Sequence, residues 1–255
     1  MSPSVDLALA LGLIGIACLS ALMYVARSLR LGRRSHARAD ADGGSAIMSK
    51  RVVEYAYWLF DPLAEGLHRA GVTANGVSAF SLVPGFGAGI AAAGGWFGLS
   101  VVLATMSAFC DAIDGLVARK QKVASDSGEA LDATIDRYIE FFLQAGLFFH
   151  YRDSLPATLL CLSAMLASFM VSYISAIADA KNLVIPRGTM RRAERALYLF
   201  LGAGFTPPWA ALVGPSRSLW LREAPMLLAL LMVAVLGNLS AAIRHRALVT
   251  AAAKT

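Results

Sequence analysis

Long apolar runs separated by short clusters of charge organise this chain. They fall at residues 5–26, 76–94, 97–117, 129–150, 154–180, 194–213 and 223–243. Each is close to the ~20 apolar residues that a helix needs to cross a bilayer. Seven membrane-spanning helices are therefore expected. The first run has Asp6 at its start and Arg27, Arg30, Arg33, Arg34 and Arg38 after it. A signal peptide carries its positive charge before the apolar core, so this run reads as an uncleaved anchor with its N-terminus outside. Alternating the spans from there puts Arg119, Lys120, Lys122, Lys181, Arg187, Arg191, Arg192, Arg195, Arg244 and Arg246 in the cytoplasm. The opposite side keeps mainly Arg152, Arg217 and Arg222. One threading thus satisfies the excess of Lys and Arg that cytoplasmic loops carry.

Two segments break the pattern. "ADADGGSA" (39–46) is small, polar and Gly-rich, a linker composition. "KRVVEYAYWLFDPLAEGLHRAG" mixes charges with Tyr55, Tyr57, Trp58, Phe60 and Leu63, too charged to span and too apolar to float free. An amphipathic helix in the interface plane fits it, with a role in walling a site as the alternative. The chain then divides into an anchor (1–27), a basic linker (28–47), an interfacial helix (48–71), a membrane core (72–246) and a tail (247–255). "GFGAGIAAAGG" in the second span suits close helix packing. "TPPW" at 206–209 is expected to break or kink its helix. Trp96, Trp220 and His150 read as interface residues.

Composition agrees with a membrane protein. The chain is 57% hydrophobic, against 45–50% for soluble domains, and its mean hydropathy is +0.60. The net charge of +6 sits at the ends of apolar runs. It therefore signals topology, and no nucleic-acid partner is expected. Cys18, Cys110 and Cys161 lie inside apolar runs without metal or redox spacing and read as small buried residues.

The chemistry concentrates in "DAIDGLVARKQKVASDSGEALDATID". Asp111 and Asp114 are three apart, and Asp132 and Asp136 four apart, so each pair shares one helix face. Ser125 to Gly128 reads as a turn that lets the two helices run antiparallel, bringing both pairs together. Clustered carboxylates repel, and hard divalent ions relieve them, because an all-oxygen ligand set favours Mg²⁺ or Mn²⁺. Two such ions could clamp phosphates for in-line attack. Two alternatives stay open at this point. The acids could pair with Arg119, Lys120, Lys122 and Arg137 at a wet interface, or serve as the ion site of a cation-coupled transporter.

Asp111, Asp114, Gly115, Ala118, Arg119, Gly128, Asp132 and Asp136 fit D-x2-D-G-x2-A-R-x8-G-x3-D-x3-D without departure. This pattern resembles the signature of the CDP-alcohol phosphatidyltransferase family. The resemblance runs over about 72–246, and "TAN" at 73–75 is similar to the Thr-Pro-Asn that often opens the family's six-helix core. It implies an all-α polytopic fold with that core, an extra N-terminal helix and the interfacial helix. It also implies an enzyme of phospholipid biosynthesis that displaces CMP from a CDP-linked lipid with a small alcohol, working with two divalent cations, Mg²⁺ or Mn²⁺. Asp111, Asp114, Asp132 and Asp136 would be metal ligands, with Asp136 also the general base. Gly115, Ala118, Arg119 and Gly128 would line the nucleotide site. The partners implied are the CDP-lipid donor, the acceptor, membrane lipids and a second copy in a homodimer. The expected setting is a bacterial plasma membrane, with the site facing the cytoplasm.

The acceptor is less determined. "MRRAERALYL" resembles the basic stretch that opens the family's fifth core helix, which makes Arg192 and Arg195 candidates for an acceptor phosphate. Topology charges with Glu194 as partner are the alternative. In "SYISAIADA", Ser175 and Ile177 stand where members using phosphorylated acceptors often carry arginine. That departure argues against a phosphorylated acceptor and leaves inositol, inositol phosphate, glycerol 3-phosphate, serine and other polyols or amino alcohols open. Tyr173 and Asp179 are further acceptor-side candidates, and Tyr138 and Glu140 follow the motif.

Overall fold

A computed structural model describes residues 1–31, 50–121, 125–186 and 188–253. The linker stretch 39–46, Arg33, Arg34, Arg38, Lys122 and Arg187 lie outside the described residues. The described chain is all-α: α1 (Pro3–Leu31), α2 (Lys50–Arg69), α3 (Ala74–Ala93), α4 (Phe97–Gln121), α5 (Asp126–His150), α6 (Leu155–Ala180), α7 (Arg192–Val213), α8 (Leu219–Arg222) and α9 (Ala224–Ala252). Among the described residues, six helices are long and apolar enough to cross a membrane: α1, α3, α4, α6, α7 and α9. The seventh expected span, α5, has the length at 25 residues, but Asp126, Glu129, Asp132, Asp136, Arg137 and Glu140 crowd it. Its hydropathy is lost to the residues that carry the chemistry. The chain forms two compact units, 1–143 and 144–255.

In the first unit, α3 begins with Thr73, whose Oγ1 accepts from the Gly76 amide at 3.2 Å. That bond satisfies one of the four amides orphaned at a helix start. Ala74 therefore replaces a proline at little cost, because the first helical N–H needs no partner inside the helix. The small residues of α3 work as the sequence implies. A Cβ at Gly85 would meet the Ile139 side chain at 2.9 Å, and one at Gly89 would overlap the Phe142 carbonyl. The backbones of α3 and α5 approach closely because these positions have no side chain.

The helix α2 lays its apolar face on the same unit. Tyr57, Phe60, Ala64 and Leu67 pack with Ala74, Val77, Ile113, Leu116 and Val117. The anchor α1 is attached at two places. Asp6 Oδ1 accepts from the Leu99 amide at 3.0 Å, capping the start of α4 from another helix. A Cβ at Gly98 would collide with the Asp6 carbonyl, so only glycine admits this approach. Nearer its other end, Ser20 and Tyr55 share a hydrogen bond of 2.6 Å, and Tyr24 lies 5.4 Å and 5.6 Å from the rings of Tyr55 and Trp58. Much of the rest of α1 is exposed, Leu11, Ile16, Leu19 and Leu22 among it. Cys18 is exposed as well, which corrects the expectation that it is buried. It sits on a helix whose flank would face lipid.

In the second unit, α9 is the central helix. Its Val233 and Ala241 are buried, Gly237 rides against Ala167 of α6, and Gly202 of α7 rides against Ala229. Asn238 Nδ2 donates to the Ser163 carbonyl at 3.1 Å. Two helix ends bear on the sequence reading. The helix α7 runs through Pro207 and Pro208 to Val213, so "TPPW" does not end it, and Thr206 Oγ1 donates back to the Gly202 carbonyl at 2.7 Å. The helix α9 continues to Ala252, because the residues after Arg246 are mostly good helix formers.

The close approach at Gly89 gives a direct test. Gly89→Ala should lower the thermal midpoint in detergent by several degrees, corresponding to about 1–3 kcal/mol of overpacking. Gly204→Ala, where a Cβ meets nothing within 4 Å, should leave it unchanged or slightly raised. Equal midpoints for wild type and Gly89→Ala would show that the two helices can separate freely.

Candidate metal centre and anion-binding residues

The acids sit where α4 and α5 meet. One carboxylate oxygen each from Asp111, Asp132 and Asp136 lies within 4.8 Å of the others. Full negative charges at that separation repel by roughly 3 kcal/mol per pair at an effective dielectric near 20. Asp136 is 7% exposed, so water cannot simply screen it. Asp114 is equally buried at 6% and within Coulombic reach of Asp132 and Asp111, but its Oδ2 accepts from Ser78 Oγ of α3 at 2.5 Å. The structure thus gathers three of the four expected ligands directly and holds the fourth beside them by a hydroxyl. Ser78 was invisible to sequence reasoning, since it lies 36 positions from its partner and outside the motif. An all-carboxylate, hard-oxygen set of this size fits Mg²⁺ or Mn²⁺.

The expected turn at Ser125–Gly128 is a helix start. Ser125 Oγ accepts from the Gly128 amide at 3.3 Å, and α5 begins at Asp126. A Cβ at Gly128 would come within 3.8 Å of Asn75 Oδ1, which brings the "TAN" stretch beside the motif glycine. At Gly115, a Cβ would meet Arg119 Nη1 at 3.3 Å, so the guanidinium lies across the open glycine backbone. Ala118 is half-buried against the apolar cluster under α2.

Two of the nearby cations contact acids outside the motif. Lys120 Nζ contacts Asp61 Oδ1 at 2.9 Å and Glu65 Oε2 at 3.0 Å, and Arg137 Nη1 contacts Glu140 Oε2 at 2.8 Å. Hydrogen bonds from Lys120 and then Arg69 hold the Glu65 carboxyl below its usual range. Gln121 Nε2 donates to the Val72 carbonyl at 2.7 Å. These contacts tie α2 and the α2–α3 turn to the end of α4. The helix α2 therefore steadies the helix that carries Asp111 and Asp114.

The second unit holds the acceptor-side candidates. Glu194 Oε2 accepts from the Met190 amide at 2.6 Å and the Arg191 amide at 3.2 Å, a cap for the start of α7. Arg195 is 1% exposed and donates from Nη1 to the Met190 carbonyl at 2.8 Å. Arg192 opens α7 and is partly buried. At Ser175, where the sequence lacks an arginine, Oγ accepts from Arg244 Nη1 of α9 at 2.7 Å. Arg244 had been read only as a topology charge, because no spacing rule links it to residue 175.

The minor candidates resolve more simply. His150 Nε2 lies within hydrogen-bond distance of Glu223 Oε2, at 2.9 Å, in the second unit. Tyr173 and Asp179 are exposed, and Tyr138 is exposed beside the ring of Phe142.

Comparison with known proteins follows from this geometry. The family model described as CDP-alcohol phosphatidyltransferase matches residues 72–236. The phosphatidylinositol phosphate synthase of Mycobacterium tuberculosis is 33% identical over 175 residues, covering 63% of this chain and 76% of the relative. The enzyme of the same name from Mycobacteroides abscessus is 34% identical over 160 residues, covering 57% and 68%. Crystal structures of the M. tuberculosis synthase share the fold. The one with CDP-DAG bound aligns with a TM-score of 0.64 at 23% identity, covering 74% of this chain and 92% of that one. The one in complex with manganese and citrate aligns at 0.65 and 23%, covering 74% and 88%. None of these relatives supports the transporter alternative.

The contact between Ser78 and Asp114 predicts a measurable effect. Ser78→Ala should weaken Mn²⁺ binding about tenfold, as loss of a partner that orients a ligand typically does. Electron paramagnetic resonance of free Mn²⁺ reads this directly. Unchanged affinity would detach Asp114 from the metal.

Proposed function

Because the chain belongs to the CDP-alcohol phosphatidyltransferase family, we propose that this integral, multi-pass membrane enzyme transfers a phosphatidyl group from CDP-diacylglycerol to a small alcohol. The observation that carries the reading is the convergence of Asp111, Asp132 and Asp136 within 4.8 Å on two helices that bear the complete motif. We assign Asp111, Asp114, Asp132 and Asp136 as ligands of two divalent cations, Mg²⁺ or Mn²⁺. When bound, such ions supply neutralisation of the diphosphate and of the departing CMP oxygen.

The chain's own residues do the rest. Asp136 accepts the proton of the acceptor hydroxyl, and the alcohol oxygen forms a bond to the lipid-side phosphorus. The bond from that phosphorus to the bridging oxygen breaks, and CMP leaves with the bridging oxygen. Arg119, lying across Gly115, pairs with a nucleotide phosphate, while Gly115, Ala118 and Gly128 keep the approach open to the cytidine part. Arg192 and Arg195 are the acceptor-side candidates. The relatives named phosphatidylinositol phosphate synthase make inositol phosphate the first acceptor to test, ahead of inositol, glycerol 3-phosphate and serine.

In this reading residues 1–27 anchor the chain, 28–47 link it, 48–71 lie at the interface, 72–246 form the catalytic core and 247–255 its tail. The basic flanks orient the site towards the cytoplasm of a bacterial plasma membrane. A homodimer belongs to the reading on the family resemblance alone.

Reconstituted protein with Mg²⁺ or Mn²⁺, CDP-diacylglycerol and the right alcohol should release CMP, and chelation should stop it. Asp136→Asn should cut turnover by 10²–10⁴-fold, the usual contribution of a positioned base, with CDP-lipid binding retained. Wild-type turnover in that variant would remove Asp136 as the base. CMP release from no acceptor in a broad panel, by folded protein with metal supplied, would overturn the function.

A further inference from the structure

The helix α4 carries Asp111 and Asp114, and two other helices hold it at its two ends. At the start, Asp6 of α1 is 8% exposed and its Oδ1 accepts from the Leu99 amide at 3.0 Å. Leu99 is the third residue of α4, one of the four whose amides have no partner inside their own helix. A carboxylate there also meets the positive end of the helix dipole. The approach is so close that a Cβ at Gly98 would overlap the Asp6 carbonyl, and Ala10, one turn further along α1, is fully buried. Towards its other end, α4 meets α2. The rings of Phe60 and Phe109 lie 4.9 Å apart, two residues before Asp111, and Lys120 reaches Asp61 and Glu65. The helices α1 and α2 also join each other, through the bond of 2.6 Å between Ser20 and Tyr55 and through Tyr24 against the rings of Tyr55 and Trp58. Thus α1, α2 and α4 close a triangle of contacts within the first unit.

A helix is stiff along its axis and rises ~1.5 Å per residue. Asp111 and Asp114 stand 12 and 15 residues beyond Leu99. An axial slip or a tilt at the start of α4 therefore reaches them, roughly 18 and 23 Å away, with little loss. The metal centre tolerates little of that. Asp111, Asp132 and Asp136 each bring an oxygen within 4.8 Å of the others, and Mg²⁺ demands its ligands at about 2.0–2.1 Å in near-ideal geometry. Fixing a chain in a bilayer takes only ~20 apolar residues; the bond from Asp6 adds a defined height to that attachment. Both α1 and α2 precede residue 72, where the family match begins.

Resting on the metal centre of the transferase reading, we infer that α1 and α2 brace α4 and that Asp6 is a positioning residue for the bound cations. Asp6 holds α4 at the height at which Asp111 and Asp114 meet Asp132 and Asp136. The N-terminal helix thereby sets cation affinity as well as anchoring the chain.

The test measures Mn²⁺ binding to full-length protein in nanodiscs by electron paramagnetic resonance, well below each thermal midpoint. Asp6→Leu removes the cap, Gly98→Ala pushes α1 away with the Asp6 carboxylate intact, and Asp6→Asn keeps an oxygen that can accept from Leu99. Gly202→Ala, which crowds Ala229 in the second unit, controls for general destabilisation. Asp6→Leu and Gly98→Ala should each weaken Mn²⁺ binding about three- to tenfold, the range that remote positioning contacts give, while Asp6→Asn stays within about twofold of wild type. Gly202→Ala should lower the thermal midpoint and leave Mn²⁺ affinity unchanged. Wild-type affinity in both Asp6→Leu and Gly98→Ala, with lowered midpoints, overturns the proposal, makes α1 a stabiliser only, and leaves the metal centre standing. Weakening in Gly202→Ala equal to that in Asp6→Leu also overturns it, since loosening anywhere would then suffice. Wild-type protein that binds no Mn²⁺ sinks the metal centre itself, and the proposal with it.

Discussion

The crowding of carboxylates between α4 and α5 is the constraint on which the first unit depends. Three oxygens within 4.8 Å of one another are unfavourable unless positive charge joins them. The surrounding structure keeps them close rather than letting them part. Glycines at positions 85 and 89 draw α3 against α5. Ser78 holds Asp114 from α3. Contacts of Lys120 and Gln121 fix the end of α4 to α2 and to the following turn. Lys120 and Arg137 contact Asp61, Glu65 and Glu140, acids outside the motif. The extra anchor acts on the same helix, since Asp6 caps its start at Leu99.

Donor chemistry and acceptor candidates fall in different parts of the chain. Every residue of the motif lies in the first unit, whereas Ser175, Arg191, Arg192, Arg195 and Arg244 lie in the second. The second unit differs in kind as well. Its polar centre rests on a loop with Met190 in the left-handed region, held by Glu194, Arg195, Arg244 and Ser240.

Much of this was legible in the sequence for a definite reason. Apolar run length, basic flanks and the i, i+3 and i, i+4 spacing of the aspartates are local properties, so the helices, the motif and the close packing of "GFGAGIAAAGG" could be read directly. What escaped depends on pairs distant in sequence. Ser78 with Asp114 and Arg244 with Ser175 leave no local pattern, and Asp6 looked like a flank of the anchor rather than a cap for α4. "TPPW" does not break its helix, because at membrane depth packing against neighbouring helices keeps a proline-containing helix continuous.

The central claim is that the four motif aspartates hold two divalent ions. Anomalous diffraction at the manganese edge, from crystals of the protein grown with Mn²⁺ and CDP-diacylglycerol, tests it most directly. The account predicts two peaks roughly 4 Å apart, ligated by Asp111, Asp114, Asp132 and Asp136. Manganese bound elsewhere, with the four carboxylates paired only to arginine and lysine, would contradict it.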